Sequence, residues 1–306
     1  MKEIVILSGK GGVGKSSLTA ALGTLLGRRH SLVLADTDVD APNLHLVLGA
    51  ERLESSPITA SEKAFVDMDR CVGCGLCTDV CRFDAIIGDS RPVIARYSCE
   101  GCGACAIACP EEAITIRQVT NGRLDIMAAG DHRVVSGSLD IGASSSGRLV
   151  DVVKRRAREL AGELGAGLIL TDGPPGIGCP VIATLKGADH VVLVTEPTPS
   201  ALSDLGRVVE VVQGFHLPLG VVLNRADIFA DGRGQVLRYL DAHRIELLAE
   251  IPYDPELPRA LARGELAVTA RPDAPSSLAI RALGKRISDL IQRNGPGRAI
   301  SLKTMT

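Results

Sequence analysis

The stretch that decides the fold is Ser8-Gly9-Lys10-Gly11-Gly12-Val13-Gly14-Lys15-Ser16-Ser17, near the start of a chain of 306 residues. Ahead of it, Met1 to Leu7 reads Met-Lys-Glu-Ile-Val-Ile-Leu, a short apolar run of the kind that forms a buried parallel strand. After it, Leu18, Ala21, Leu22, Leu25 and Leu26 recur at helical spacing. Between strand and helix, Gly9-x4-Gly14-Lys15-Ser16 has the phosphate-binding loop pattern. Its glycines let successive backbone N–H groups, from Gly11, Gly12, Val13 and Gly14 through Lys15, Ser16 and Ser17, turn inward on an anion at a helix N-terminus. Lys15 then reaches the β- and γ-phosphates, and the Ser16 hydroxyl ligates Mg2+. An ordinary glycine turn needs none of this register, so the sequence predicts ATP binding.

The totals exclude several classes. A formal charge of −2 offers no electrostatic case for nucleic-acid binding. No run approaches the length that spans a bilayer, and the N-terminus reads as a strand rather than a signal peptide, so a cytoplasmic protein is expected. Aromatic residues are 2% of the chain and Trp is absent, so the core must be aliphatic, as in a sheet built of Val, Ile and Leu. Of the nine cysteines, eight fall in two tight groups, which favours metal in a reducing compartment over disulfides.

Those groups form an internal repeat. Cys71-x2-Cys74-x2-Cys77-x3-Cys81 is followed 28 residues on by Cys99-x2-Cys102-x2-Cys105-x3-Cys109-Pro110, and Ala85-Ile86 answers Ala113-Ile114. Zinc is one reading of the Cys-x2-Cys pairs, although zinc ligands usually come as separated pairs. Two complete four-cysteine runs, the second closed by proline, fit iron–sulfur chemistry more specifically. Glycines between the ligands would let backbone N–H groups approach the sulfurs.

Two resemblances follow. Lys10-Gly-Gly-Val-Gly-Lys-Ser resembles the deviant phosphate loop of the MinD/ParA/Mrp ATPases and the nitrogenase iron protein. The cysteine spacing resembles that of bacterial ferredoxins with two [4Fe–4S] clusters. The second implies that Cys71, Cys74, Cys77 and Cys109 hold one cluster, and Cys99, Cys102, Cys105 and Cys81 the other. Arg82 stands where those ferredoxins have proline after the first run. Together they imply an α/β fold with a doubly wound, mostly parallel sheet and an inserted α+β ferredoxin domain. The ATPase would be discontinuous, residues 1–61 and 118–294, with the insert at 62–117 and a disordered tail at 295–306.

The first resemblance also assigns roles. Lys10 would cross the interface of an ATP-sandwiched homodimer to the partner's phosphates. The strand ending Asp36-Thr37-Asp38 would supply Asp36 to the Mg2+ shell with Ser16, and Asp38 to orient the attacking water. Gly167-Leu-Ile-Leu-Thr-Asp172 would carry the Walker-B aspartate, a further Mg2+ support, and lead into Gly173-Pro174-Pro175-Gly176, where the Gly176 amide senses the γ-phosphate. Asn224, Pro252 and Tyr253 match positions on the adenine side. Cys179, just past that switch, is either a small buried hydrophobe or a ligand to a cluster bridging two subunits.

Three functions fit these parts. In the first, ATP hydrolysis rearranges the dimer and gates electron transfer from the clusters to a redox partner. In the second, the protein is an Mrp-type carrier that hands an iron–sulfur cluster to an acceptor. The third, a MinD/ParA-like positioning switch, needs a membrane or nucleic-acid patch that the sequence lacks and leaves the clusters unexplained. Two helices are expected late in the chain. Arg148 to Leu164 turns Leu149, Val152, Val153, Leu160 and Leu164 inward and Lys154-Arg155-Arg156 to solvent. Ser277 to Ile291 is basic and amphipathic, and packs on its own sheet rather than on a membrane.

Overall fold

The computed structural model describes residues 1–88, 90–143 and 146–293. The expected disorder of 295–306 lies outside these residues. The chain opens with β1 (Lys2–Ser8), α1 (Lys15–Leu26), β2 (Leu32–Asp36), α2 (Leu44–Leu48) and β3 (Glu51–Ile58). The cysteine-bearing segment follows as β4 (Ser61–Val66), α3 (Leu76–Asp79), β5 (Ile86–Ile87), β6 (Val93–Ile94), α4 (Ala104–Ala108) and β7 (Ile114–Val119). Next come β8 (Gly122–Ala129), β9 (His132–Leu139), α5 (Ser146–Glu163), β10 (Leu168–Pro175), α6 (Cys179–Leu185), β11 (His190–Thr195) and α7 (Pro199–Gly214). The chain continues through β12 (Leu219–Asn224), α8 (Ala230–Ala242), β13 (Glu246–Ile251), α9 (Glu256–Ala262), α10 (Ala267–Ala270) and α11 (Pro275–Arg293).

The main sheet runs β13-β12-β11-β1-β10-β2-β9-β8-β3, parallel from β13 to β9 and antiparallel across β9-β8-β3. Its central parallel strands are apolar on both faces because both are covered. In β1, Ile4 and Ile6 pack with α1 and α11, while Val5 and Leu7 pack in the opposite layer with α6, α7 and α8. A third cluster joins α5 to β2, β9 and β10 through Leu149, Val150 and Val153 against Val33, Val135 and Ile169. Centring the sheet on β1 puts the glycine loop at the carboxyl edge of its parallel strands, where α/β sheets bind ligands. Among the described residues no helix is long and apolar enough to cross a membrane.

β8 and β9 are eight-residue strands, and β3 pairs along β8 as an exposed edge. Its polar sequence, Glu-Arg-Leu-Glu-Ser-Ser-Pro-Ile, hides a strand but suits an edge that must not attract another chain. Leu164 lies past the end of α5 and is exposed. Lys154 is not on a solvated face: it is 3% exposed, with Nζ 2.8 Å from Glu3 Oε1. Glu3, itself buried at the start of β1, also takes Arg158 at 2.7 Å. Burial lowers the Lys154 pKa, and the Glu3 charge and hydrogen bond oppose that shift.

Residues 61–119 form a small body with its own sheets, β4-β7 and β5-β6, and its own core of Ala64, Ile86, Ile114 and cysteines. The segment leaves and re-enters the main sheet side by side. Asn121 N–H donates to Ile58 O at 3.0 Å, and Ala60 N–H donates to Asn121 Oδ1 at 2.9 Å.

Removing one member of a buried ion cluster leaves its partner's charge undercompensated. Lys154→Met should therefore destabilise the protein by about 3 kcal/mol in urea unfolding. A loss below ~0.5 kcal/mol would mean that Arg158 alone satisfies Glu3.

Candidate nucleotide site

The glycine loop turns β1 into α1 through Gly12 (φ 79°) and Gly14 (φ 92°), a left-handed backbone that favours glycine. At Gly14 there is a second constraint. A Cβ there would lie 2.5 Å from Asn224 Nδ2, which donates to Val13 O at 2.8 Å. Asn224, at the end of β12, thus locks the loop from behind. In front of the loop is a cavity of about 970 Å³, lined by Gly11, Gly12, Gly14, Lys15, Ser16 and Ser17 from the loop. Asp38, Asp40 and Asn43 from the segment after β2, Pro174 and Pro175 at the end of β10, and Gly178 beyond it also line it. A smaller adjoining cavity is walled by Asn224, Arg225, Pro252 and Tyr253 beside Gly14 and Ser17. The proposed base-side residues therefore share one pocket, next to the phosphate loop.

The electrostatic centre lies under the loop. Lys15 Nζ is 3.0 Å from Asp172 Oδ1 and 3.3 Å from Ser16 Oγ, and Thr19 Oγ1 donates to the same Asp172 oxygen at 2.8 Å. Asp172 is completely buried, and its Oδ2 has no hydrogen-bond partner among the described residues. An orphaned buried carboxylate oxygen beside a phosphate-loop serine fits a hydrated Mg2+, which prefers carboxylate and water oxygens. Asp36 is also wholly buried. Burial first, then the neighbouring Asp172 charge, push its pKa up from 3.8 to about 7.

Asp36 is already engaged by backbone. Its oxygens accept N–H groups from Asp38 (3.1 Å), Asn43 (3.1 Å) and Leu44 (3.0 Å), which folds the switch segment back on the strand end. Asp38 faces the cavity, and burial raises its carboxyl pKa, with Lys15 pulling it down and Asp172 and Asp40 pushing it up. Gly176, at φ 89°, donates its N–H to Ser8 O at 2.9 Å and does not line the cavity in this arrangement.

Lys10 is held within its own chain. Its ammonium lies 2.7 Å from Glu196 Oε1 and within 3.4 Å of the Thr198 and Ser200 hydroxyls. Glu196 also takes Arg225 at 3.0 Å. Burial pushes the Glu196 carboxyl up, but the two cations outweigh it and leave its pKa below the ordinary value. Arg225, Glu196 and Thr19 were not legible as site residues. Thr19 had a signal, standing one helical turn after Lys15, while the other two depend on which strand ends meet.

The eight clustered cysteines gather into two sets. Cys71, Cys74, Cys77 and Cys109 line one cavity, and Cys81, Cys99, Cys102 and Cys105 line another. Each cavity is otherwise walled largely by apolar atoms and glycine backbone. Ala85 N–H points at Cys81 Sγ (3.4 Å) and Ala113 N–H at Cys109 Sγ (3.3 Å). Four thiols around a void, with amides on the sulfurs, fit a polynuclear cluster. Cys179, at the first position of α6, is exposed rather than buried, because the Gly178 turn lifts the helix start off the core.

A glycine loop between a buried strand and a helix, backed by a buried lysine–aspartate pair, defines a phosphate-loop nucleotide-binding protein. The chain belongs to the CobQ/CobB/MinD/ParA nucleotide binding domain family, whose model matches residues 4–268. An uncharacterized protein of Methanocaldococcus jannaschii is 35% identical over 262 residues, 85% of this chain and 87% of its own. An iron-sulfur cluster carrier protein of Pyrococcus abyssi is 22% identical over 304 residues, 93% of this chain and 85% of its own. The septum site-determining protein MinD of Pyrococcus horikoshii, solved with Mg-ADP, shares the fold with a TM-score of 0.61 at 24% identity, covering 94% of this chain and 96% of that one.

Asp36 gives a pH signature. The folded protein keeps this proton up to about pH 7, whereas the unfolded chain releases it near 3.8. The folded state thus binds more protons in that window, and this contribution to stability is lost as pH rises through it. In nucleotide-free protein, the stability cost of Asp36→Asn should be larger at pH 5 than at pH 8 by more than ~1 kcal/mol. An equal cost at both pH values in urea unfolding would refute the raised pKa.

Proposed function

We propose that ATP binding and hydrolysis drive the rearrangement of an ATP-sandwiched homodimer that gates electron transfer through two [4Fe–4S] clusters. The clusters would be held by the eight cysteines of an inserted ferredoxin domain, residues 62–117, within the ATPase of residues 1–61 and 118–294. The observation that carries this conclusion is the sorting of the cysteines into two four-thiol cavities. When bound, such clusters supply one-electron redox chemistry. Everything else falls to the chain's own groups. Lys15, Ser16 and the glycine-loop amides bind phosphate, Asp172 and Asp36 support Mg2+, and Asp38 orients water toward the γ-phosphate. Lys10 leaves Glu196 for the partner's phosphates, exchanging one anion for another, as an added cation at a transferring phosphoryl group requires. Gly176 would leave Ser8 O in the same change. The acceptor of the electrons is a redox protein.

A second function, an Mrp-type carrier that hands over a cluster, draws on the exposed Cys179 and on the relative named an iron-sulfur cluster carrier protein. Permanent clusters are favoured because four thiols of one chain surround each cavity. The two are separated by incubating anaerobically purified protein, bearing about eight irons per chain, with an apo-ferredoxin and ATP, and in parallel with an oxidised electron acceptor. Acceptor reduction with iron retained by this chain is the expected result. Iron moving to the apo-ferredoxin would replace the electron-transfer function by the carrier.

A further inference from the structure

The two cysteine sets are related by a 28-residue repeat, and the structure keeps that repeat in its backbone. Gly73 packs on Ser90 O as Gly101 packs on Glu62 O. Asp84 and Glu112 both hold positive φ, 47° and 45°. The Ala85–Cys81 and Ala113–Cys109 contacts are a matched pair. Among the positions at which the two repeats differ, three put more positive charge or an extra N–H beside the second set.

The first is Lys63, whose counterpart is Arg91. Lys63 is 5% exposed, and its ammonium donates to the carbonyl of Cys99. It has no carboxylate partner among the described residues, while Arg91 is exposed. A buried cation without a counter-ion is costly unless an anion is supplied nearby. The second is Ala64, whose N–H points at Cys99 Sγ at 3.5 Å. Its counterpart Pro92 lines the other cavity and has no N–H to give. The third is Arg82 after Cys81, which stands opposite Pro110 after Cys109. The carboxylates that line the cavities are matched, Glu100 in one and Glu111 in the other.

We infer that Lys63 is the anion-compensating residue of the second set, and that it makes the cluster held by Cys81, Cys99, Cys102 and Cys105 easier to reduce than its twin. This rests on the iron–sulfur assignment proposed above. Adding an electron makes an anionic cluster more negative, so a buried cation and an extra N–H on its sulfur favour the reduced form. A single electron given to the pair therefore resides on the second set. That set is also where the small body meets the ATPase: the Tyr97 ring, two residues before Cys99, lies so close to Gly142 that a Cβ there would fall 2.7 Å from it. The polarity thus draws charge toward the nucleotide-bearing part of the molecule.

The test is potentiometric EPR on the full chain, purified anaerobically and checked for iron. Two separate midpoints are expected. Lys63→Gln should lower the more positive one by about tenfold in its reduction equilibrium, ~59 mV for one electron, and leave the other in place, while Lys63→Arg retains the wild-type value. Pro92→Ala, which leaves Lys63 intact and restores an N–H to the first set, should raise the more negative midpoint. Coincident midpoints in the wild type, or a Lys63→Gln shift in the lower midpoint or in neither, would overturn the inference. So would a lower midpoint unmoved by Pro92→Ala. Wild-type protein without iron after reconstitution would instead overturn the cluster assignment itself.

Discussion

A buried lysine–aspartate pair sits at the root of this structure. Lys15 at the start of α1 and Asp172 in β10 lie in the sheet's centre, where neither charge could stand alone without a large desolvation penalty. Their pairing ties the phosphate loop to the neighbouring strand and leaves one Asp172 oxygen without a partner. Asp36, on the next strand over, is in parallel register with Asp172, so three charges from three segments share one dry volume. Burial first, and then the Asp172 charge, raise the Asp36 pKa to about 7, and the negative excess makes the volume receptive to a divalent cation. Nucleotide chemistry is thereby built into the balance of the fold.

The segments around that centre are held by hydrogen bonds as well as by the packing of Val39 and Leu44. Asp36 holds the 38–44 segment through three backbone N–H groups, Gly176 is pinned to Ser8 O, and Lys10 is drawn to Glu196. Each is a local polar contact that an arriving phosphate or cation competes with directly, so each is suited to two arrangements. The cysteine-bearing body is joined at a different place, through the Asn121 clasp between β3 and β8 and the Tyr97–Gly142 contact. Gly142 follows β9, and the first turn of α5 places Gly147 against Cys179, at the start of α6.

The sequence exposed local patterns well and long-range ones poorly. The glycine loop, Asp38 at the cavity and both cysteine sets are short motifs whose spacing carries the chemistry, and the structure brings each of them together. β3 was illegible because an exposed edge strand has no apolar alternation to detect. Lys154 looked like surface in a run of three cations, and only the register of β1 against α5 buries it on Glu3. Glu196 and Arg225 meet because β11 and β12 are neighbours in the sheet, a fact no window of sequence contains. Lys63 is the subtler case. Its counterpart in the repeat is also a cation, so the sequence shows symmetry where burial creates a difference.

If the nucleotide state reaches the proposed cysteine-held clusters, their potentials respond to it. The most direct measurement is the midpoint potential of those clusters in the reconstituted wild-type protein with Mg-ADP and with a non-hydrolysable Mg-ATP analogue. A reproducible shift between the two nucleotides, absent in Lys10→Ala protein, is the predicted result. Identical potentials in both nucleotide states would contradict it.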